Sequence, residues 1–312
     1  MIPESWIPEI LSPQFTWPRP ISTVIVEGTP LVPRVPSKLS LRTWGFVHSL
    51  LASFSKRYCS LWGVYSTFSC RELLFGLVLK WTERTSIEEV MAMKMARAAG
   101  MPVPKVISCG KHGGWVSILM TRLPGTPLLN SDEQFDADAE GPWVHELKQC
   151  LHAMRLWRCP TDSKYIGSVI GTAIHSIRVP MHRMGPFTYE AELLKHLLSP
   201  ASMHSFISTR EYEATLLRAK RLNMRPHRIT FTHGDLQAHN ILVDEGHLSG
   251  FLDWESGGWC PEYWEFTTSM RYAKSSWWYQ TSYWLGGDQY MPELDSDKAL
   301  NTLTVDSYVG LW

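Results

Sequence analysis

The 312-residue chain has little that would recruit a polymer partner, a bilayer or an oxidising compartment. Positive and negative side chains balance at 30 each, so no global field draws in nucleic acid or an acidic membrane. No stretch approaches the roughly 18 to 20 continuous apolar residues that span a bilayer. The proline-rich opening, Met1 to Pro20, lacks the basic segment and apolar core of a secretory signal. The six cysteines, Cys59, Cys70, Cys109, Cys150, Cys159 and Cys260, form no CxxC pair and are too few to staple a chain this long. The expectation is a soluble, cytoplasmic protein with reduced thiols and neither nucleic acid nor membrane as partner; its oligomeric state is not legible.

What is present concentrates between Phe231 and Glu255, FTHGDLQAHNILVDEGHLSGFLDWE. An apolar run, Ile229 to Phe231, leads into a polar turn, His233 to Asn240. A second run, Ile241-Leu242-Val243, reverses at Asp244-Glu245-Gly246 and returns through Phe251-Leu252 to Asp253. That pattern predicts a short hairpin with a loop of functional groups on each side. It brings Asp235, Asn240 and Asp253 to one end of a rigid element. Two oxygen donors such as Asn240 and Asp253 suit a hard Mg²⁺ that also takes phosphate oxygens, and a separate carboxylate such as Asp235 suits a base facing an alcohol. Taken singly, Asp235 is equally a turn former and Asn240 a cap, so the joint order carries the signal.

Asn240 follows Asp235 by five residues and Asp253 follows it by eighteen. This order resembles the catalytic loop of the protein-kinase-like superfamily, His-x-Asp, then Asn, then a metal-binding Asp. The His-Gly-Asp triplet, and Leu-Asp-Trp-Glu in place of Asp-Phe-Gly, are similar to the aminoglycoside phosphotransferase and choline kinase branch. The blocks Gly258 to Glu265 and Gly185-Pro186-Phe187 with Glu190 resemble an uncharacterised phosphotransferase group within it. The resemblance implies an α+β, two-lobed protein-kinase-like fold, with a small antiparallel-sheet N-lobe and a larger, mainly helical C-lobe. It implies ATP and Mg²⁺ as cofactors and Asp235 as the catalytic acceptor of the substrate proton. His233 joins the catalytic set and is expected to brace the loop backbone; His239 is solvated or faces substrate. Asn240 and Asp253 are the metal ligands. Only seven residues separate Asp253 from Pro261, too few for a phosphorylatable activation segment, which favours a small-molecule hydroxyl acceptor.

The rest of the chain is divided on this template. Residues 1–38 read as an N-terminal extended arm on the body, 39–121 as the N-lobe and 122–312 as the C-lobe. Apolar spacing predicts a helix from Leu39 to about Ser55, strands across 58–81, and a helix from Ile87 to Ala99 stopped by Gly100 and Pro102. Lys80 ends an apolar strand and is the nucleotide lysine. Ser86 and Glu89 form an S-x-x-E capping box, yet the resemblance makes Glu89 the partner of Lys80, with Glu88 as alternative; one helix start is expected not to serve both roles fully. A strand from Pro102, the turn at Gly110 to Gly114 and the strand Trp115 to Met120 complete the small sheet. Met120, Arg122 and Leu123 make the hinge whose main chain meets adenine. The phosphate-covering Gly-rich loop is missing, since Gly63 and Gly76 stand alone, and Ser66, Thr67 and Ser69 are weak substitutes. Beyond the hinge, helices are expected over Trp143 to Trp157, Glu190 to Leu198, Thr209 to Leu222 and Pro261 to Lys274. The aromatic cluster Trp277, Trp278, Tyr279, Tyr283 and Trp284 either packs a helix or cages a cation or flat substrate.

The function that follows is ATP- and Mg-dependent transfer of a γ-phosphoryl group to a small-molecule hydroxyl. Two alternatives stay open: an inactive nucleotide-binding pseudokinase or scaffold, and an enzyme that phosphorylates a hydroxyl only to activate it for elimination.

Overall fold

The computed structural model describes residues 8–19, 25–64, 69–130, 141–204, 206–271 and 274–308. The first long element, α1 (Lys38–Trp62), starts where the Ser37 hydroxyl accepts the Ser40 N–H and stops at Gly63 in the left-handed region. It runs a turn and more past the expected Ser55, because Tyr58 and Cys59 remain buried on the same face as Ala52 and Ser55. It lies on a four-stranded sheet of β1 (Cys70–Leu73), β2 (Leu77–Lys80), β3 (Val106–His112) and β4 (Trp115–Thr121), ordered β1-β2-β4-β3 and antiparallel throughout. His48 of α1 is buried between the Ser117 and Ser108 hydroxyls, 2.7 and 2.9 Å from its ring nitrogens, and burial lowers its pKa to about 4. A neutral imidazole therefore locks helix to sheet. Leu74 and Phe75, expected in a strand, instead form with Gly76 the turn between β1 and β2, where Phe75 has φ 64°.

After Lys80 the chain enters α2 (Ile87–Ala98), whose buried face of Val90, Met91, Met93 and Met95 joins the main core. The chain leaves the small sheet at Thr121 and continues through β5 (Thr126–Pro127), α3 (Pro142–Leu156), the two-residue strands β6 (Ile174–His175) and β7 (Arg183–Met184), α4 (Glu190–Leu197) and α5 (Thr209–Lys220). Next come β8 (Ile229–Thr232), the hairpin β9 (Ile241–Asp244) and β10 (His247–Phe251), β11 (Gly258–Pro261), α6 (Trp264–Ser269), α7 (Trp277–Trp284) and α8 (Met291–Tyr308). This is the two-lobed α+β arrangement expected. Two details differ. Cys260 and Pro261 lie in β11, paired with Thr230 and Ile229 of β8, and the helix after it is only six residues long. Strand pairing there is non-local, so no local pattern announces it.

The core centres on the segment around the hairpin. Phe231 sits within 5.3 to 5.9 Å, centroid to centroid, of Trp157, Trp254 and Trp259. Trp254, Trp259 and Trp264 are among the largest fully buried side chains, and the first two pack against Phe231 at the entry to the 233–240 loop. No helix among the described residues is long and apolar enough to cross a membrane.

The opening residues lie along the body. Tyr58 donates to the Leu11 carbonyl at 2.8 Å, Trp17 Nε1 donates to the Phe75 carbonyl at 2.8 Å, and Arg19 donates to the Leu248 carbonyl at 3.2 Å. Residues 8–19 thus run from α1, past the β1–β2 turn, to β10.

Candidate functional site

Lys80 closes β2 facing α2 and the end of β10. Its Nζ lies 2.7 Å from Glu89 Oε1 and 2.5 Å from Asp253 Oδ1. Burial alone would lower the lysine pKa, but the two carboxylates outweigh it and the net shift is upward. The ammonium is therefore held charged. For Asp253 burial works against ionisation, while Lys80 above all, with a smaller pull from Arg84, holds its carboxyl below the ordinary range. Complete burial pushes Glu89 up to about 7, with Lys80 pulling the other way.

The conflict expected at the start of α2 dissolves in three dimensions. The Glu89 backbone N–H donates to the Ser86 hydroxyl at 3.1 Å, which is the cap, and its carboxylate goes to Lys80. Glu88, the alternative, accepts instead from Thr172 Oγ1 at 2.7 Å.

The hairpin brings the other groups together. At its open end the Leu252 N–H donates to the Asn240 carbonyl at 2.8 Å, which sets Asn240 beside Asp253. Asp253 adopts φ 59° and ψ 64°, a left-handed backbone rare for a non-glycine residue. Asn240 Nδ2 donates to both the carbonyl and the Oδ2 of Asp235, at 3.0 and 3.1 Å. Its side-chain oxygen is left as the free acceptor.

His233 is fully buried and braces the loop, as expected. Nε2 lies 2.7 Å from the Leu252 carbonyl and must donate to it, so Nδ1 is the acceptor for the Asp235 N–H at 3.3 Å. His239 is exposed. One important residue went unforeseen: Glu265 in α6 accepts the N–H groups of His233 and Gly234, at 2.6 and 3.1 Å, and burial raises its pKa. The one signal available for it was its place at the end of the block Gly258 to Glu265, which carried a resemblance but no role. Trp278 Nε1 donates to the Leu236 carbonyl, and both Trp278 and Tyr279 are buried, so Trp278 packs against the 233–240 loop and this part of the aromatic cluster is core.

Lys80, Glu89, Asn240 and Asp253 all line one cavity of about 260 Å³, with Met93, Met120, Pro104 and Leu252 as apolar walls and Ser69, Cys70, Thr82 and Arg84 at its polar side. Of the expected hinge residues only Met120 borders it. Arg122 does not: its N–H donates to the Gly76 carbonyl at 2.7 Å, its carbonyl accepts from the Trp17 N–H at 2.9 Å, and its guanidinium reaches Pro13 and Glu72. Its N–H is thus spent on the fold and it lies outside the cavity, so the structure does not bring it to the place a base would occupy. Leu123 packs at 5 % exposure near Gly250. Ser66 and Thr67 lie outside the described residues.

The donor set fits a hard divalent ion. An amide oxygen and a carboxylate share the cavity, and no group of three or more His, Cys, Asp or Glu residues suited to a metal exists among the described residues. Mg²⁺ is commonly held by one or two protein oxygens and completed by phosphate.

The family model described as the phosphotransferase enzyme family matches residues 78–282, about two-thirds of the chain. An aminoglycoside 3'-phosphotransferase of Enterococcus faecalis is 22% identical over 208 residues, 66% of this chain and 69% of that protein, and one of Staphylococcus aureus matches to the same extent. Among solved structures, aminoglycoside phosphotransferase APH(4)-Ia superposes with a TM-score of 0.57 at 13% identity, covering 83% of this chain and 93% of that one. A thermostable mutant of it in ternary complex with ADP and hygromycin B gives 0.54 at 14% identity, with the same coverage. These structures share the fold. With the matched span running from β2 to α7, the chain belongs to the phosphotransferase enzyme family, the enzyme class that its catalytic-loop spacing anticipates.

Proposed function

We propose that the chain transfers the γ-phosphoryl group of ATP to a hydroxyl of a small molecule. The observation that carries this is the convergence of Lys80, Glu89, Asn240 and Asp253 on one cavity, with Asp235 tied to its edge through Asn240. Lys80, held charged and pinned by Glu89, steadies the phosphate tail. Asn240 and Asp253 would hold Mg²⁺, which would supply neutralisation of the charge on the phosphates. Asp235 accepts the acceptor's proton as its oxygen bonds to the γ-phosphorus and the bond to the β-phosphate oxygen breaks, releasing ADP. The protein contributes position and charge rather than a covalent step.

His233 and Glu265 hold the loop that carries Asp235. Met120 borders the base. The acceptor is a small hydroxylated compound, supported by the aminoglycoside phosphotransferase names of the relatives and by the short stretch between Asp253 and Pro261. Cytoplasmic action follows from the need for ATP.

The test is incubation of the purified chain with γ-labelled ATP, Mg²⁺ and a panel of hydroxylated acceptors, read by mass spectrometry. Label on an acceptor in proportion to ADP released supports the reading. An acceptor that ends dehydrated with free phosphate shifts it to activation for elimination, and failure to bind Mg-ATP removes it.

A further inference from the structure

A polyphosphate tail needs cations, and this chain has no Gly-rich loop to wrap it. Among the described residues two cationic side chains line the cavity, Lys80 and Arg84. Lys80 is already offset by two carboxylates at 2.7 and 2.5 Å. Arg84 is not comparably spent. Its ion pair is a single contact of 3.5 Å from Nη1 to Glu255 Oε1, and 50% of its side chain is open to solvent. A guanidinium has five N–H donors in a planar fork that matches phosphate oxygens.

The backbone that presents Arg84 is a hydrogen-bonded turn. The Thr82 N–H donates to Thr85 Oγ1 and the Thr85 N–H donates to Thr82 Oγ1, both at 3.1 Å, and the two hydroxyls lie 2.9 Å apart. This reciprocal pairing closes the turn between β2 and α2 on either side of Arg84. On the other side Glu255 is 5 % exposed, stands two residues after Asp253, and has an Oε2 with no hydrogen-bond partner among the described residues. Its Oε1 also lies 3.6 Å from His175 Nδ1. Glu255 thus ties Arg84 to the segment that carries Asp253.

We propose that Arg84 is a phosphate-binding residue, reaching the polyphosphate tail of the nucleotide from the stapled turn after β2, and that Glu255 is its positioning residue. The inference rests on the reading of this cavity as a nucleotide site. Arg84 would supply the contact to phosphate that a Gly-rich loop makes elsewhere.

The test is calorimetric titration of the full chain with adenosine, ADP and ATP in the presence of Mg²⁺. Arg84→Ala should leave adenosine affinity within about twofold of the unmodified chain while weakening ATP about 10- to 100-fold, as expected for loss of charge-assisted hydrogen bonds. Arg84→Lys should recover part of the loss, and Glu255→Gln should show the same dependence on phosphate number with smaller size. Unchanged ATP affinity in Arg84→Ala overturns the proposal, as does an equal loss for adenosine and ATP, which would mark a distorted cleft. Failure of the unmodified chain to bind either ligand instead brings down the nucleotide reading, and this inference with it.

Discussion

At the scale of the residue, the proposed reaction gives Asp235 and Glu89 separable duties, and each predicts a distinct defect. Asp235 lines no wall of the cavity and meets it only through Asn240. Replacing it with Asn keeps the shape and removes the proton acceptor. Turnover of Asp235→Asn should fall by about 10² to 10⁴ while Mg-ATP affinity stays within about twofold, measured by steady-state kinetics and calorimetry on the same sample. Unchanged turnover removes Asp235 from its role. Glu89 acts through Lys80. Because burial places its carboxyl near 7, protonation below that pH removes the partner that pins the lysine. Activity at low ATP should therefore rise with pH through about 7, and Glu89→Gln should flatten that limb and raise the KM for ATP. A limb of the same shape in Glu89→Gln assigns it elsewhere.

At the scale of the element, the catalytic loop is shaped by one backbone position and guarded by one carboxylate. Gly234 has φ +79°, and a Cβ there would meet the Ser256 carbonyl oxygen at 2.2 Å. The obstructing Ser256 carbonyl is backbone, so no flexible side-chain end can give way. Gly63, which ends α1, also has positive φ, +66°, but faces open space. Gly234→Ala should then destabilise by about 2 to 4 kcal/mol and lose activity, whereas Gly63→Ala should cost only about 1 kcal/mol and keep it. Denaturant melts of the two variants decide this, and equal losses would show that the close approach carries no weight. Residues 8–19 pose a second question at this scale. Trp17 bonds the Arg122 carbonyl and the Phe75 carbonyl, and Arg122 reaches back to Pro13. Removing residues 1–19 should cost about 2 to 4 kcal/mol, at a net contribution near 1 kcal/mol per hydrogen bond. Amide exchange should quicken at 74–77 and 121–123; unchanged exchange there would mean that the segment lies on the body without bracing it.

At the scale of the whole molecule, distant parts of the larger lobe meet at a histidine. His227 Nδ1 lies 2.7 Å from Glu190 of α4 and its Nε2 3.2 Å from Glu293 of α8, with Tyr263 edge-on at 4.7 Å. Burial lowers its pKa, yet the two carboxylates outweigh burial and the net shift is upward. The folded pKa then exceeds the unfolded value near 6.5. The stabilisation is fully present below about 6.5 and is lost as pH rises through the folded pKa. Unfolding free energy should thus decline from this group on going from mildly acidic to alkaline conditions, and Glu190→Gln should reduce the slope. A slope equal to that of the parent in Glu190→Gln would exclude His227 as its source.

Much of the site was legible because its chemistry is local in the chain. The catalytic loop, its Asn and the hairpin that returns to Asp253 occupy one continuous stretch, so residue type and spacing alone carry their order. Lys80 at a strand end and Glu89 near a helix start were nameable for the same reason, although only three dimensions show that the Glu89 backbone caps while its carboxylate pairs. Arg122 misled because a hinge is recognised by position, and its peptide groups were claimed by Gly76 and Trp17, residues 46 and 105 places away in a pairing that no local pattern encodes. Glu255 and Glu265 lay inside recognised stretches, Leu-Asp-Trp-Glu and Gly258 to Glu265, yet their partners were not legible, and Arg84 was silent: an isolated charge has no period, and its meaning lies in what packs against it. By itself the sequence determined which groups exist, the order in which the chain presents them and which elements are helix or hairpin, since those follow from short-range sterics and apolar spacing. The tertiary structure alone decided which backbone groups are spent on the fold, which charges are buried against which, and which cation is left with donors to spare, because burial and pairing across long separations depend on the whole core having formed.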